Sequence, residues 1–316
     1  MEMASQSLNQ FWQQAFESLP PEGTVLLAAL QKPAFPATEP QRLAIEKGWL
    51  ISYASGRWFY RGKLLEIIEL CRSALRRRAR RLGFELCLFP RTLTRQSVEQ
   101  FGLPSFFSKT MFNCLGGRGG DGVLDPVQCA PFYDLVRWSL EHGQRFPLLV
   151  CEDGGYTFRD EEPSALHRFC TAREFLRVEW TMAGTSEDII RTRCRALESV
   201  AELFSQLELS WRAVFGRPCG DAELSSGLVR RTDSGVTGAL LPVIDLEIAV
   251  PHEPHWLECA GGTLHFDTKI KQAVGQASAQ PLWSACLGIG INRLVYAILA
   301  QHGENLQDIE RILTQD

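Results

Sequence analysis

Apolar residues recur with a helical period in two long segments of the chain. The apolar face of the first segment consists of Leu64, Ile67, Ile68, Cys71, Leu75 and Leu82. Gly83 follows this segment and is expected to end the helix. In the second segment, Thr185 and Asp188 have the spacing of a capping box, and the period continues to Phe204. Both segments are therefore predicted to be amphipathic helices. A further helical pattern through Leu8, Trp12, Phe16 and Leu19 ends at the prolines 20 and 21.

Short apolar runs bounded by turn residues predict strands between these helices. They lie at residues 84–89, 155–159, 173–180, 243–250, 255–259 and 282–287, and residues 49–61 have the pattern of a hairpin. The strands come in consecutive pairs, with long helices between the groups. This order favours an α+β fold, an antiparallel sheet flanked by helices, over a regular βαβ alternation.

Composition narrows the class of protein. The 316 residues are 45% hydrophobic and 22% charged with a net charge of −4, which is typical of a soluble globular protein and gives no general nucleic-acid footprint. The ten cysteines are scattered without a CxxC pair, and no apolar run suits a secretory signal or a membrane span. A cytoplasmic protein with free thiols, away from membranes, is the simplest interpretation. The arginines of residues 76–81 fit either a solvated helix face or a contact with RNA or an acidic protein.

Two motifs and a set of carboxylates are candidates for binding phosphate groups or a metal ion. Arg159-Asp160-Glu161 ends a predicted strand, and arginine suits bidentate phosphate contact. The stretch from Gly288 to Arg293 runs from a strand into a helix whose first turn favours anions. It lacks the GxGxxG pattern of a dinucleotide fold, and no GxxxxGK[ST] loop exists in the sequence. Asp245, Glu247 and Glu258 precede it on strands and could hold Mg²⁺ beside substrate phosphates.

In this order the segments resemble the three motifs of class II aminoacyl-tRNA synthetases, over roughly residues 57–305. The first motif is the long helix followed by Gly83-Phe84 and a strand to Pro90, which forms a dimer interface in that family. The second runs from Phe158 through His167-Arg168 to Phe175, and the third from Gly288 to Arg293. The resemblance implies an N-terminal appendage at residues 1–56, a catalytic domain at 57–316 and a homodimer.

Further segments resemble the methanogen-type seryl-tRNA synthetases and their short relatives, the amino acid:[carrier protein] ligases. Leu124-Asp125-Pro126-Val127-Gln128-Cys129 is similar to the segment that supplies their first zinc ligand. By the same resemblance, Glu174 and Cys286 would be the second and third ligands. Two thiolates and a carboxylate leave one Zn²⁺ position open, which the substrate's α-amino group could fill.

The resemblance also assigns roles in nucleotide binding. Arg159 would hold the α-phosphate of ATP and Glu161 the adenine amine, with Phe175 stacked on adenine and Arg293 on its other face or near the γ-phosphate. Arg168 would contact the terminal phosphates. The Mg²⁺ candidates are Glu247 and Glu258.

These roles imply ATP-dependent formation of an aminoacyl-adenylate from a small amino acid. Because the segment before residue 57 is short and not basic, we expect transfer to the phosphopantetheine thiol of a separate carrier protein and regard tRNA as an unlikely partner. The alternatives are an aminoacyl-tRNA synthetase or RNA-directed aminoacyl transferase, or a non-catalytic paralogue. Asn292 stands where the family usually has glutamate, and residues 265–271 fit the carrier-protein ligases poorly.

Overall fold

A nine-stranded sheet forms the centre of the protein in a computed structural model that describes residues 11–16, 18–31, 37–102, 109–114, 122–160, 168–216, 236–253, 255–274 and 281–315. The strands in chain order are β1 (Ala15–Phe16), β2 (Val25–Ala29), β3 (Leu50–Ala54), β4 (Arg57–Tyr60), β5 (Glu85–Cys87), β6 (Thr92–Thr94), β7 (Asn113–Cys114), β8 (Gly122–Leu124), β9 (Leu148–Glu152), β10 (Tyr156–Phe158), β11 (Glu174–Gly184), β12 (Trp211–Phe215), β13 (Val236–Thr237), β14 (Val243–Ala249), β15 (Trp256–His265) and β16 (Trp283–Gly290). The helices are α1 (Pro40–Glu46), α2 (Gly62–Arg81), α3 (Arg95–Phe101), α4 (Ala130–Glu141), α5 (Ser186–Gln206), α6 (Asp267–Val274), α7 (Ile291–His302) and α8 (Gln307–Gln315).

The main sheet has the strand order β2-β12-β14-β15-β16-β11-β9-β5, with β10 also paired to β11. Neighbouring strands are antiparallel except for the parallel pair of β5 and β9 at one edge. Three smaller sheets surround it, formed by β1 with β13, β3 with β4, and β6 with β7 and β8. The predicted α+β architecture, an antiparallel sheet flanked by helices, is confirmed.

Helices α2, α5 and α7 supply much of the main hydrophobic core with their buried faces. Thr185 caps α5 by accepting a hydrogen bond from the Asp188 backbone N–H at 3.2 Å, as its capping-box spacing predicts. Gly83 follows α2 with a φ of 93°, a left-handed conformation that favours glycine. On β15, Gly262 lies against Leu197 of α5, so this face of the sheet is covered and the opposite face is left for a site.

The N-terminal segment differs from its predicted helix. Leu8 lies outside the described residues, and Phe16 belongs to the short strand β1. Strand β2 pairs with β12 in the main sheet, and the domain boundary proposed after residue 56 falls in the turn between the paired strands β3 and β4. The described residues before that boundary therefore contribute to the central sheet.

The arginine-rich half of α2 is engaged within the protein. Arg76 forms an ion pair with Asp153 at 3.4 Å. Arg78 is buried and donates to the Ser199 carbonyl and the Gln206 side chain, each at 2.6 Å. This part of the helix is therefore not a uniformly solvated face.

Candidate active site

A cavity of about 390 Å³ lies on the sheet face opposite α5. Its floor follows a row of registered residues across four strands. The row runs from Asp245 on β14 to Gly261 on β15 and Gly288 on β16, and then to Glu179 on β11. Since registered residues of an antiparallel pair share one face of the sheet, the glycines leave an open floor with a carboxylate at each end.

Both glycines allow a close approach of neighbouring side chains. A Cβ atom on Gly288 would lie 1.8 Å from Nη2 of Arg177, whose side chain crosses the floor at this point. A Cβ atom on Gly261 would lie 2.9 Å from Oδ1 of Asp245. Side chains at these two positions would therefore displace the charged groups that shape the cavity.

At one end of the cavity, Cys129, Glu179 and Cys286 form a cluster in which the ligand atoms lie within 4.8 Å of one another. Thiols and a carboxylate are donor types that Zn²⁺ takes in proteins. Glu179 is fully buried and neither carboxylate oxygen has a hydrogen-bond partner of standard geometry among the described residues, although Arg177 Nε lies 2.7 Å from one of them. The donor chemistry of the cluster fits a bound cation.

The charge state of the cluster is set by hydrogen bonds and by burial. Cys286 has a pKa well below the usual range because it receives hydrogen bonds from Cys129 and from His265. The pKa of Cys129 is raised, by its hydrogen bond with Cys286 and by burial. Burial also raises the pKa of Glu179 well above its usual range, against the neighbouring charge of Arg177. A thiolate is therefore favoured at Cys286.

This cluster corrects the expected ligand set. Glu179, not Glu174, lies with the two cysteines. The two glutamates are five positions apart on β11, so alternation places them on opposite faces of the strand. Glu174 is registered against Phe158 on β10. The sequence signal that could have pointed to Glu179 is an acidic residue between Val178 and Trp180 in an otherwise apolar run.

Cys129 is held by a tight turn before α4. Asp125 Oδ1 accepts hydrogen bonds from the backbone N–H groups of Val127 at 3.1 Å and Gln128 at 2.8 Å. Gln128 has a φ of 65°, and its side-chain amide donates to the Arg177 carbonyl at 3.2 Å. The turn is thus fastened to the strand that carries Glu179.

At the other end of the cavity, Arg159, Phe175 and Arg293 line the same space although they are far apart in sequence. The Arg159 guanidinium carbon lies 5.4 Å from the centroid of the Phe175 ring, and its Nε donates to the Pro126 carbonyl at 2.9 Å. Arg293 Nη1 donates to the Glu258 carbonyl at 2.9 Å and lies 3.4 Å from its carboxylate. Glu161 lies outside the described residues.

Glu247 and Glu258, the carboxylates expected to hold Mg²⁺, are registered against each other on β14 and β15, but only Glu258 lines the cavity. Glu258 lines the cavity because a β-bulge around Cys259 brings it to the face of Gly261. Glu247 forms an ion pair with Arg212 at 2.6 Å. Asp245, which lines the cavity, has its pKa raised to about 8 by burial and by the nearby charges of Glu258 and Glu247. Asp245 and Glu258 are therefore the carboxylates that meet at the cavity.

Arg168 lies away from this cavity. It forms an ion pair with Glu253, and both residues line a separate surface pocket with Tyr296. The ion pair with Arg168 lowers the pKa of Glu253, although burial acts in the opposite direction. Thus the structure brings Arg159, Phe175 and Arg293 together but leaves Arg168 outside.

Asn292, the departure from the family pattern, has a structural role. Its Oδ1 accepts from the Leu176 backbone N–H at 2.7 Å, and its Nδ2 donates to the Tyr60 hydroxyl at 2.7 Å and the Phe169 carbonyl at 3.3 Å. A buried amide thus connects the start of α7 to β11, to β4 and to the segment that precedes β11.

Comparisons with solved structures decide the fold. The seryl-tRNA synthetase of Methanopyrus kandleri, solved with tRNASec from A. aeolicus, superposes with a TM-score of 0.80 at 21% identity, covering 94% of this chain and 64% of that one. A cytoplasmic serine-tRNA ligase from Naegleria fowleri bound to AMP gives a TM-score of 0.73 at 12% identity, over 93% of this chain and 64% of that chain. The chain has the class II aminoacyl-tRNA synthetase fold.

Sequence comparison finds relatives named type-2 serine–tRNA ligase. The type-2 serine–tRNA ligase of Methanopyrus kandleri is 26% identical over 303 residues, covering 82% of this chain and 56% of that protein. The enzyme of the same name from Methanocaldococcus jannaschii is 24% identical over 313 residues, covering 87% and 58%. The chain thus spans somewhat more than half the length of these relatives. No family model matches the sequence.

These comparisons correct two expectations about the partners of this chain. Transfer to a carrier protein is not supported, because the relatives above are named for tRNA. The view of tRNA as an unlikely partner is also wrong, because a structural neighbour was solved with tRNASec. That view rested on the short segment before residue 57.

Among the helices in the described residues, none combines the length and the apolar composition that a membrane span requires. The homodimer stays a prediction.

Proposed function

We propose that this chain activates an amino acid with ATP in the cavity between Arg159 and the cysteine cluster, and that tRNA receives the aminoacyl group. The observation that carries the proposal is the convergence of Arg159, Phe175 and Arg293 on one cavity whose far end holds Cys129 and Cys286. The names of the relatives support serine as the amino acid and tRNA as the acceptor.

The first step would be attack of the amino-acid carboxylate on the α-phosphorus of ATP. The new C–O–P linkage forms as the bond to pyrophosphate breaks, and pyrophosphate carries away the negative charge. Such a reaction depends on positioning and on charge stabilisation. Arg159 would hold the α-phosphate, and Phe175 and Arg293 would enclose the adenine from opposite sides. Glu161 remains the candidate for reading the adenine amine.

Two metal sites would support this step. Zn²⁺ held by Cys129, Glu179 and Cys286 would act as a Lewis acid that binds the neutral α-amino group of the substrate. Asp245 and Glu258 would bind Mg²⁺ together with phosphate oxygens, since this ion takes few protein carboxylates. The amino-acid carboxylate would bind between the two sites, over the glycine floor that Arg177 crosses and beside the α-phosphate.

The decisive experiment is amino-acid-dependent ATP–pyrophosphate exchange with each of the twenty amino acids. Exchange is expected with serine, and Arg159→Ala should abolish it because the phosphate loses its cation. Arg191→Ala is the matched control, since this arginine is on the exposed surface of α5 with its acidic neighbours. Absence of exchange with every amino acid would refute activation.

The acceptor needs a separate assay. Purified protein should charge serine-accepting tRNA transcripts with labelled serine in the presence of ATP. Exchange without charging of any tRNA would retain activation and refute the proposed acceptor.

A further inference from the structure

Arg91 directly follows Pro90, the proline that ends the first motif, and no sequence motif assigns it a role. It lies between the turn that carries Cys129 and strand β9, which neighbours the strand that carries Glu179. Its Nη1 lies 3.1 Å from Asp125 Oδ2, and its Nη2 forms an ion pair with Glu152. Both carboxylates are fully buried, and only about a fifth of the arginine side chain is exposed.

On one side, Arg91 reaches the turn that carries Cys129. Asp125 uses Oδ2 for Arg91 and Oδ1 for the backbone N–H groups of Val127 and Gln128. The Arg91 carbonyl also accepts from the Asp125 backbone N–H at 2.9 Å. The arginine therefore orients the carboxylate that shapes this turn.

On the other side, Arg91 reaches the strand beside Glu179. Glu152 of β9 is registered against Glu179 of β11, so the two carboxylates point to the same face of the sheet. A Cβ atom on Gly154 would lie 2.3 Å from Glu152 Oε1 and 2.6 Å from Arg91 Nη2, which shows how closely the backbone encloses this ion pair. Arg91 thus neutralises Glu152, the acid next to Glu179.

We infer that Arg91 is a positioning residue for the cluster of Cys129, Glu179 and Cys286. It fixes the turn of Cys129 against the strand pair of Glu152 and Glu179, so that three donors from distant parts of the chain meet. The inference rests on the metal site of the proposed function. Groups behind metal ligands commonly change metal affinity by about 10- to 100-fold when they are removed.

The test compares Arg91→Gln with Arg72→Gln in the full chain. Arg72 is the matched control because it also pairs with a buried carboxylate, Asp153, at 2.8 Å, and is similarly exposed, but it lies on α2. Zinc affinity is measured by competition with a chromogenic chelator, and thermal unfolding reports the loss of a buried ion pair. Arg91→Gln should lower zinc affinity by about 10-fold or more, whereas Arg72→Gln should lower only the thermal stability.

Amide hydrogen exchange of the peptide containing Val127 and Gln128 provides a readout that needs no metal. Arg91→Gln should accelerate this exchange, and Arg72→Gln should not. Wild-type zinc affinity in Arg91→Gln would overturn the inference. If the unsubstituted protein binds no zinc, the proposed metal site fails, and amide hydrogen exchange alone tests the role of Arg91. Unchanged hydrogen exchange in Arg91→Gln then overturns that role. Faster hydrogen exchange retains Arg91 as the residue that holds this turn.

Discussion

Replacing Gly288 by alanine should damage the cavity floor through a single methyl group. The added Cβ would lie 1.8 Å from Nη2 and 2.3 Å from Cζ of Arg177, well inside van der Waals contact. The guanidinium would have to leave its place 2.7 Å from Glu179, which is fully buried. Removing one partner of a buried ion pair costs about 3–5 kcal/mol. Because Arg177 retains some exposure, we expect a loss near 3 kcal/mol, or about 5 °C in Tm for a chain of this size.

Gly290→Ala is the matched control on the same face of β16. Its Cβ would lie 3.6 Å from Arg293 Cδ, which is ordinary contact. Gly290 is also the N-cap of α7, where alanine costs about 1 kcal/mol at most. Thermal unfolding of both variants gives the comparison. In a background of Arg177→Ala the clash is gone, so the cost of Gly288→Ala should fall to that of the control.

Two results would refute this reasoning. Gly288→Ala could be as stable as Gly290→Ala, which would mean that Arg177 moves without loss. Alternatively, the cost could be equal with and without the Arg177 side chain, which would place its origin in the backbone and not in the ion pair.

Other substitutions test separate parts of the site. Glu179→Gln should reduce the zinc content of purified protein below that of Glu174→Gln, measured by metal analysis; equal contents would contradict the revised ligand set. Glu253→Gln should leave the KM for ATP unchanged, because the ion pair of Glu253 with Arg168 lies in a pocket separate from the cavity; a lower KM for ATP would mean that Arg168 reaches the nucleotide. Asn292→Ala should lower stability by about 1–3 kcal/mol in denaturant titration, since buried groups lose their partners, and a change under 0.5 kcal/mol would contradict that role.

The sequence predicted elements best where local pattern and tertiary packing agree. The helices α2 and α5 follow their apolar period because the same face that repeats along the sequence packs into the core. Strand β15 continues to His265, well beyond the 255–259 expected. Glycines such as Gly261 and Gly262 are unfavourable inside a strand, yet both neighbouring strands pair with this segment, and Thr263 and His265 line the cavity.

The candidate site was predictable at the level of motifs but not of each side chain. Arg159 and Arg293 could be selected because each stands near the boundary of a recognisable element, Arg159 after a strand and Arg293 in the first turn of a helix, and the structure brings both to one cavity. The resemblance assigns Glu174 because it stands between Arg173 and Phe175, an arginine–glutamate–aromatic step like that of the related synthetases. Only the register with β16 shows that Glu179 shares a face with Cys286. Arg168 could not be placed, because Glu253, the residue that holds it, is 85 positions away in sequence.

One turn connects the two ends of the cavity. Its Pro126 carbonyl accepts a hydrogen bond from Arg159 at 2.9 Å, and three residues later Cys129 joins the cluster with Glu179 and Cys286. In the proposed function, Arg159 holds the α-phosphate and Cys129 helps to hold the amino-acid amine. Both residues are thus fixed to the same turn, at residues 126–129. Their separation sets how closely the carboxylate can approach phosphorus, and such distances affect rate steeply. A change that loosens this turn should therefore lower kcat for activation more than it raises the KM for either substrate, because each substrate retains its own contacts while their alignment is lost.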